Sequence, residues 1–290
     1  MDRLSGLLRW LVPLGLVALC GASCPRFGSP LVIGRPLPPP VLPADPTLEQ
    51  VIAVVNGNSS QIRSFSTNGA TVSGAGFPSL RASVVFERPR RFRFRAETAL
   101  TGAELDVGSN DELFWLWVRR NEPQAIYFCR HHQFAASPAR EILPIDPQWL
   151  IEALGITELD PRLPHQGPFR LSGERFTVHT VRETPNGPQT KVTVVDGRRG
   201  YVLEQHVYDD QGQVVASAVT RRHRQDPLSG LVMPKVVDVH CPRVELSLRI
   251  DLGNVDVNRP LGGTSEVWAM PSYPGYPVVD LSDPHTLHAY

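Results

Sequence analysis

Five arginines, Arg88, Arg90, Arg91, Arg93 and Arg95, fall between positions 88 and 95. The chemistry open to such a cluster is anion binding, with lipid phosphates as one class of target. Arg91, Arg93 and Arg95 alternate with Phe92, Phe94 and Ala96, however, and a strand with one apolar and one solvated face has that pattern. The solvated face is the reading with more weight. Just beyond lies Leu100, a single large apolar residue in an otherwise polar loop. It is either a packing residue or an apolar probe, since an exposed tip of this kind lowers solubility unless it is used. His131 and His132 are adjacent, and on a strand their side chains point to opposite faces, so one metal ion cannot take both. Cys129 and Cys241 are compatible with free thiols or with a disulfide, because their separation in space is not legible. No G-x-S-x-G elbow, H-E-x-x-H helix or phosphate-cradling glycine loop is found. No enzyme activity, metal or cofactor is therefore expected, although a hydrolase assembled from distant strands stays open as a third reading.

The 290 residues are 41% hydrophobic and 20% charged, which are globular values. Lys plus Arg and Asp plus Glu number 29 each, so the net charge is zero. That excludes a cationic excess and argues against nucleic acid as a partner. The 28 prolines and 23 glycines, interleaved with short alternating runs, favour β structure with many turns.

The N-terminus reads as a targeting segment. Arg3 and Arg9 lie at the start of the apolar run from Leu11 to Cys20, which is short for a membrane span and has the form of a secretory signal. Gly21-Ala22-Ser23-Cys24 follows and resembles the lipobox of bacterial lipoproteins, in which the signal is cut before a cysteine that is then acylated. Residues 1–23 are thus expected to be a signal peptide, and 24–46 a lipidated Cys24 with a proline-rich tether. An ordinary cleaved signal with an incidental cysteine is the alternative.

Behind these residues stand elements that must hold them. Thr47 to Val55 predicts a helix, with Thr47 and Gln50 at capping-box spacing, Leu48, Val51, Ile52 and Val55 on one stripe, and Asn56-Gly57 as its stop. Pro147 opens a second helix, capped by Asp146 and running over Gln148 to Leu154. Its apolar face is Trp149, Leu150, Ala153 and Leu154, with Ile151 off the stripe and Glu152 toward water. Ten or eleven antiparallel strands are expected, among them Leu80 to Phe86, Phe92 to Ala96, Leu105 to Val107, Leu113 to Val118, and a cleanly alternating Val244 to Leu252. The fold class is mainly β (α+β): a strongly curved, unclosed antiparallel β-barrel whose helical lid encloses an apolar cavity. Phe92, Phe94, Trp115, Trp117 and Trp149 are candidate cavity walls, with Tyr127 and Phe128 beside them. The folded domain is expected over 47–270, its last part irregular, and residues 271–290 read as a disordered tail.

Arg91 to Val107 resembles, without a gap, the second hairpin of the LolA/LolB family of lipoprotein carriers and outer-membrane receptors, closest to LolB. The shared pattern is an Arg-aromatic-Arg start, a protruding loop with one leucine, then Glu104-Leu105-Asp106-Val107. The Gln148-Trp149 helix ending in Leu154-Gly155, and Met233-Pro234 before the alternating strand, resemble further parts of it. Phe86-Glu87-Arg88-Pro89 resembles the Arg-Pro turn of LolA. Two departures stand out: Ala99 replaces the proline before the leucine, and the glycine after it is displaced to Gly102. The resemblance implies a half-barrel that holds acyl chains of lipids or lipoproteins, and Leu100 as the membrane-transfer residue. It implies Arg88 as the residue closing the lid. It further implies a monomer on the periplasmic face of the outer membrane that receives cargo from a periplasmic LolA-like carrier. The competing reading is an envelope scaffold whose cavity is filled.

Overall fold

The computed structural model describes residues 39–134, 137, 147–184, 187–261 and 265–283. Cys24, most of the tether and Asp146 lie outside these residues. Helix α1 is Leu48–Ser59, and Thr47 and Gln50 form the expected capping box, each side chain accepting from the other's backbone N–H at 3.2 and 2.9 Å. The helix continues through Asn56-Gly57 rather than stopping there. Asn56 does not cap. Its side chain donates to the carbonyl of Leu159 at 2.9 Å and accepts from the Leu159 N–H at 2.8 Å. The folded body also starts earlier than 47. The N–H groups of Val41 and Leu42 donate to the carbonyls of Arg198 and Gly197 at 3.0 and 2.9 Å, and Leu42 is buried.

The first six strands are β1 (Ser64–Gly74), β2 (Phe77–Glu87), β3 (Arg91–Thr98), β4 (Gly102–Ser109), β5 (Leu113–Val118) and β6 (Ile126–Arg130). A one-turn helix α2 (His131–Phe134) and helix α3 (Pro147–Ala153) follow. Then come β7 (His165–Leu171), β8 (Arg175–Arg182), β9 (Gln189–Asp196), β10 (Val202–Tyr208) and β11 (Val214–Arg221). The chain ends with β12 (Arg224–Gln225), β13 (Val232–Met233), β14 (Val236–Cys241), β15 (Leu246–Asp251), β16 (Asp256–Val257) and β17 (Val278–Asp280). One sheet runs in the order β17-β6-β5-β4-β3-β2-β1-β15-β14-β11-β10-β9-β8-β7, with β16 added on β1. The end strands β17 and β7 do not pair with each other, so the sheet is unclosed. Every pairing in it is antiparallel except β17 on β6.

Period-two alternation places one apolar face on the inside of this sheet. Phe86, Phe92 and Phe94 from one half and Ala218, Val237 and Val239 from the other belong to a single buried cluster. Phe65 and Val72 of β1 and Ile250 of β15 join the two halves, so one apolar face runs continuously along the curved sheet. Helix α3 lies in the resulting trough, and Trp149, Ile151, Ala153 and Leu154 complete the cluster. Helix α1 covers a second cluster with Phe176, Val178 and Val195.

The structure corrects several expectations. β1 was not foreseen, because a bulge between Thr67 and Ala70 breaks its alternation of small residues. Ile151 and Glu152 are both buried. A helix lying in a trough is contacted on the sides that a surface helix shows to water, and Glu152 receives Lys191 Nζ at 2.6 Å. The strand expected from Val244 begins at Leu246, after a 3-10 turn at Pro242–Val244 and a left-handed Glu245 at φ 50°. The disordered tail expected from residue 271 does not hold for 271–283, where β17 pairs with β6 and Val279 and Leu281 are buried.

Cys129 and Cys241 are free, and each is buried in a different cluster. Burial raises both thiols, Cys241 to about 11, so neither is a reactive thiolate near neutral pH.

Candidate functional site

Phe92, Phe94 and Trp149 meet on the concave face, with Phe65 and Phe86 in ring contact at 5.6 Å in the same cluster. Trp115 and Trp117 do not join them. Phe94 pairs with Val107 and Val107 with Leu116, so those three share the concave face and the flanking tryptophans point out of the convex one. Leu113 to Val118 is apolar on both faces, and alternation alone cannot tell which face is which. Tyr127 packs in the cluster under β6 with Phe114 and Phe134, while Phe128 packs with the tryptophans. The indole N–H of Trp149 is buried without a hydrogen-bond partner, as is that of Trp117. An orphaned buried donor of this kind costs about 1–3 kcal/mol.

Arg88 ties helix α1 to the segment after α3. Its guanidinium donates to the carbonyl of Ile62 at 2.7 Å and to that of Ser59 at 2.6 Å, and meets the Glu158 carboxylate at 2.8 Å. A cation at the carbonyl end of a helix is favourable electrostatically. The C-terminal end of α3 is also held by Gln205, which donates to the Glu152 carbonyl and to Thr157 Oγ1, both at 3.0 Å.

The arginines on the convex face are engaged within the protein. Arg91 pairs with Asp111 at 2.6 Å, and this contact holds the Asp111 carboxyl below its ordinary range. Arg93 makes a two-pronged contact with Asp106 at 3.1 and 2.8 Å and reaches the carbonyls of Glu266 and Val267. Arg95 lies 3.6 Å from the same carboxylate. Asp106 is 0% exposed and also accepts from Trp115 Nε1 at 3.1 Å and Tyr273 Oη at 2.8 Å. Sequence reading missed this residue as the hub. Its only signal was an acid alternating with Leu105 and Val107, on the face that Arg91, Arg93 and Arg95 share once Arg95 and Asp106 pair.

Asp106 therefore docks the C-terminal segment. Tyr273 stacks on Trp117 with ring centroids 3.8 Å apart, and Tyr276 Oη donates to the Arg119 carbonyl at 2.9 Å. Burial first, and the neighbouring Asp106 charge second, push the Tyr273 phenol up to about 12. A group raised on folding contributes stability that is present below its unfolded pKa of about 10 and lost as pH rises through its folded value. Alkali is thus expected to loosen this segment between about pH 10 and 12. In Tyr273→Phe that pH-dependent step disappears, as read by convex-face tryptophan fluorescence. An unchanged alkaline transition in the variant would place its origin elsewhere.

Leu100 is 97% exposed at the tip joining β3 and β4. Thr98 Oγ1 accepts from the Thr101 N–H at 2.9 Å, and Gly102 takes φ 76°, which closes the turn without the proline that the resembled loop has. Among the described residues there is no grouping of three His, Cys, Asp or Glu side chains fit for a metal ion. His131 and His132 sit on α2 rather than on a strand, and His131 Nε2 lies 2.9 Å from the Asn110 carbonyl.

No protein-family model matches the sequence, and no curated protein matches it either. Solved structures do. A DUF1329 family protein from Desulfovibrio piger aligns over 77% of this chain and 97% of its own, with 13% identity and a TM-score of 0.50. The two chains share a fold. A LolA superfamily protein from Nitrosomonas europaea aligns over 77% of this chain and 98% of its own, at 9% identity and a TM-score of 0.49. A putative outer membrane lipoprotein-sorting protein domain from Vibrio parahaemolyticus aligns over 76% and 97%, at 11% identity and 0.48.

Proposed function

We propose that this protein is a non-catalytic envelope lipoprotein that takes acyl chains of lipids or lipoproteins onto its concave apolar face and passes them to a membrane through the Leu100 loop. The observation that carries the reading is Leu100 itself, wholly exposed on a hairpin tip whose strands line that apolar face. An isolated leucine held in water has no packing role, and burial in a bilayer or against an acyl chain recovers about 1.5–3 kcal/mol. Helix α3 is the lid. The buried, unpartnered indole N–H of Trp149 makes its seat less favourable than an apolar side chain of the same size would be. Cys24, on the proline-rich tether, would carry the anchor on the periplasmic face of the outer membrane, and Arg88 would hold the lid segment to α1. The LolA superfamily and lipoprotein-sorting names of the similar structures agree with this reading.

The test is Leu100→Glu in a vesicle-to-vesicle transfer assay with a fluorescent fatty acid. The unfolding free energy read from urea titration is expected to stay within about 0.5 kcal/mol of the parent, as for an exposed site away from structural features. Transfer is expected to fall at least about tenfold, the equivalent of about 1.4 kcal/mol of lost apolar contact. Undiminished transfer would remove Leu100 from the mechanism. A second reading, an envelope scaffold, is favoured by how fully Trp149, Ile151, Leu154 and Ile156 pack against the described part of the concave face. It predicts that no acyl species co-purifies with the protein and that no fatty acid is taken up.

A further inference from the structure

Leu100 is not the sole apolar side chain exposed at its end of the sheet. The register row Glu97, Arg81, Thr71, Asp251 crosses β3, β2, β1 and β15. β3 and β1 run parallel to each other and antiparallel to β15. Leu100 lies three residues beyond that row, and Leu246 lies five residues beyond it toward the same end. Val244, on the turn joining β14 and β15, is 46% exposed, and Leu246, which opens β15, is 36% exposed. Three strand spacings separate β3 from β15, about 14 Å within the sheet. Between and beside these tips, Phe77, Leu105 and Leu248 are only partly buried against the concave cluster. Leu246 pairs with Cys241, a member of that cluster, so it stands on the concave side. The apolar face therefore opens at this end, between two hairpins that each carry exposed apolar side chains.

We propose that Val244 and Leu246 form a second apolar anchor, entering the same bilayer leaflet as Leu100, so that a lipid surface meets the mouth of the concave face at two hairpins. This rests on the membrane-transfer reading of Leu100. The charged groups nearby suit a headgroup layer. Arg120 is largely exposed beside the Leu100 hairpin, with Glu104 at 3.9 Å. Arg243 is held by Asp209 at 2.6 Å, and Glu245 projects from its left-handed position. Two anchors do what one cannot: a single tip leaves the sheet free to swivel, whereas two tips fix the mouth against the bilayer. The tether permits this. The sixteen residues 25–40 have a contour reach of about 50 Å at about 3.1 Å per residue. That exceeds the roughly 37 Å length of an 11-residue strand such as β1. Chain entry near Gly197 and Arg198, at the other end of the sheet, is therefore no obstacle.

The experiment uses the full chain anchored in vesicles of phosphatidylethanolamine and phosphatidylglycerol. Single Leu100→Cys, Leu246→Cys and Leu228→Cys variants carry an environment-sensitive fluorophore, and lipids spin-labelled on their acyl chains act as quencher. The thiols of Cys129 and Cys241 are buried and stay unlabelled. Leu228 is the control: it is 78% exposed, but it sits in the turn between β12 and β13, past the opposite end of β11 and β14. The expected result is a blue shift and comparable quenching at 100 and 246, with neither at 228. Quenching at 100 but not at 246 would overturn the second anchor and leave the transfer reading standing. Silence at both positions would overturn both, and equal quenching at 228 would show adsorption without orientation and overturn the two-hairpin docking.

Discussion

Asp106→Ala is expected to lower the unfolding free energy by about 3–5 kcal/mol, the cost of leaving a buried charge without its partner. Asp106 is fully buried and is approached by the guanidinium of Arg93, the indole N–H of Trp115 and the phenol of Tyr273. Removing the carboxylate takes a shared acceptor from three donors at once, one of them a cation whose side chain is 14% exposed. Urea unfolding read by tryptophan fluorescence measures the loss. The double variant Arg93→Met with Asp106→Leu is expected to recover much of it, because replacing a buried pair by apolar groups of similar volume is often neutral or stabilising. A single-variant loss under about 1 kcal/mol, the range of exposed pairs, would show that water reaches this node. The docked C-terminal segment is the part expected to respond first, since it is held to the sheet through Tyr273 and the Trp117 stack.

Trp149→Ala is the second large effect, and the one that separates the two functional readings. Trp149 is buried among residues from both halves of the sheet. Truncating a buried tryptophan costs about 3–5 kcal/mol. The lower end is expected, because the variant also removes an indole N–H that has no partner. If acyl chains compete with Trp149 for the concave face, the space left behind is theirs to fill. Fatty-acid uptake should then rise at least about tenfold even as the free protein becomes less stable, since a preformed apolar cavity binds apolar ligands readily. Titration with a fluorescent fatty acid, alongside urea unfolding of the same preparation, reads both quantities. Loss of stability with no gain in uptake would favour the scaffold.

The sequence determined the local elements. The capping box of Thr47 and Gln50, the Phe92–Ala96 alternation and the place of Leu100 in a polar loop follow from spacing and turn chemistry, which are local properties. The broad architecture, a large antiparallel sheet with few helices, followed from the number and period of such runs. What the tertiary structure alone decided was which face is inside and what covers it. β5 is apolar on both sides, so only its register against β4 placed Trp115 and Trp117 on the convex face. Glu152 reads as a solvent-facing residue until the trough around α3 brings Lys191 to it. Residues 271–283 have a tail's composition, yet they are held by Trp117, Asp106 and the edge of β6, partners all 150 or more residues distant. The same holds for the candidate site. Leu100 was visible as an oddity in one loop, whereas its kinship with Val244 and Leu246 exists only because β1 pairs with both β2 and β15. Local spacing is encoded in neighbours along the chain; faces, hubs and rims are set by pairings between strands far apart in it, and those cannot be inferred from period alone.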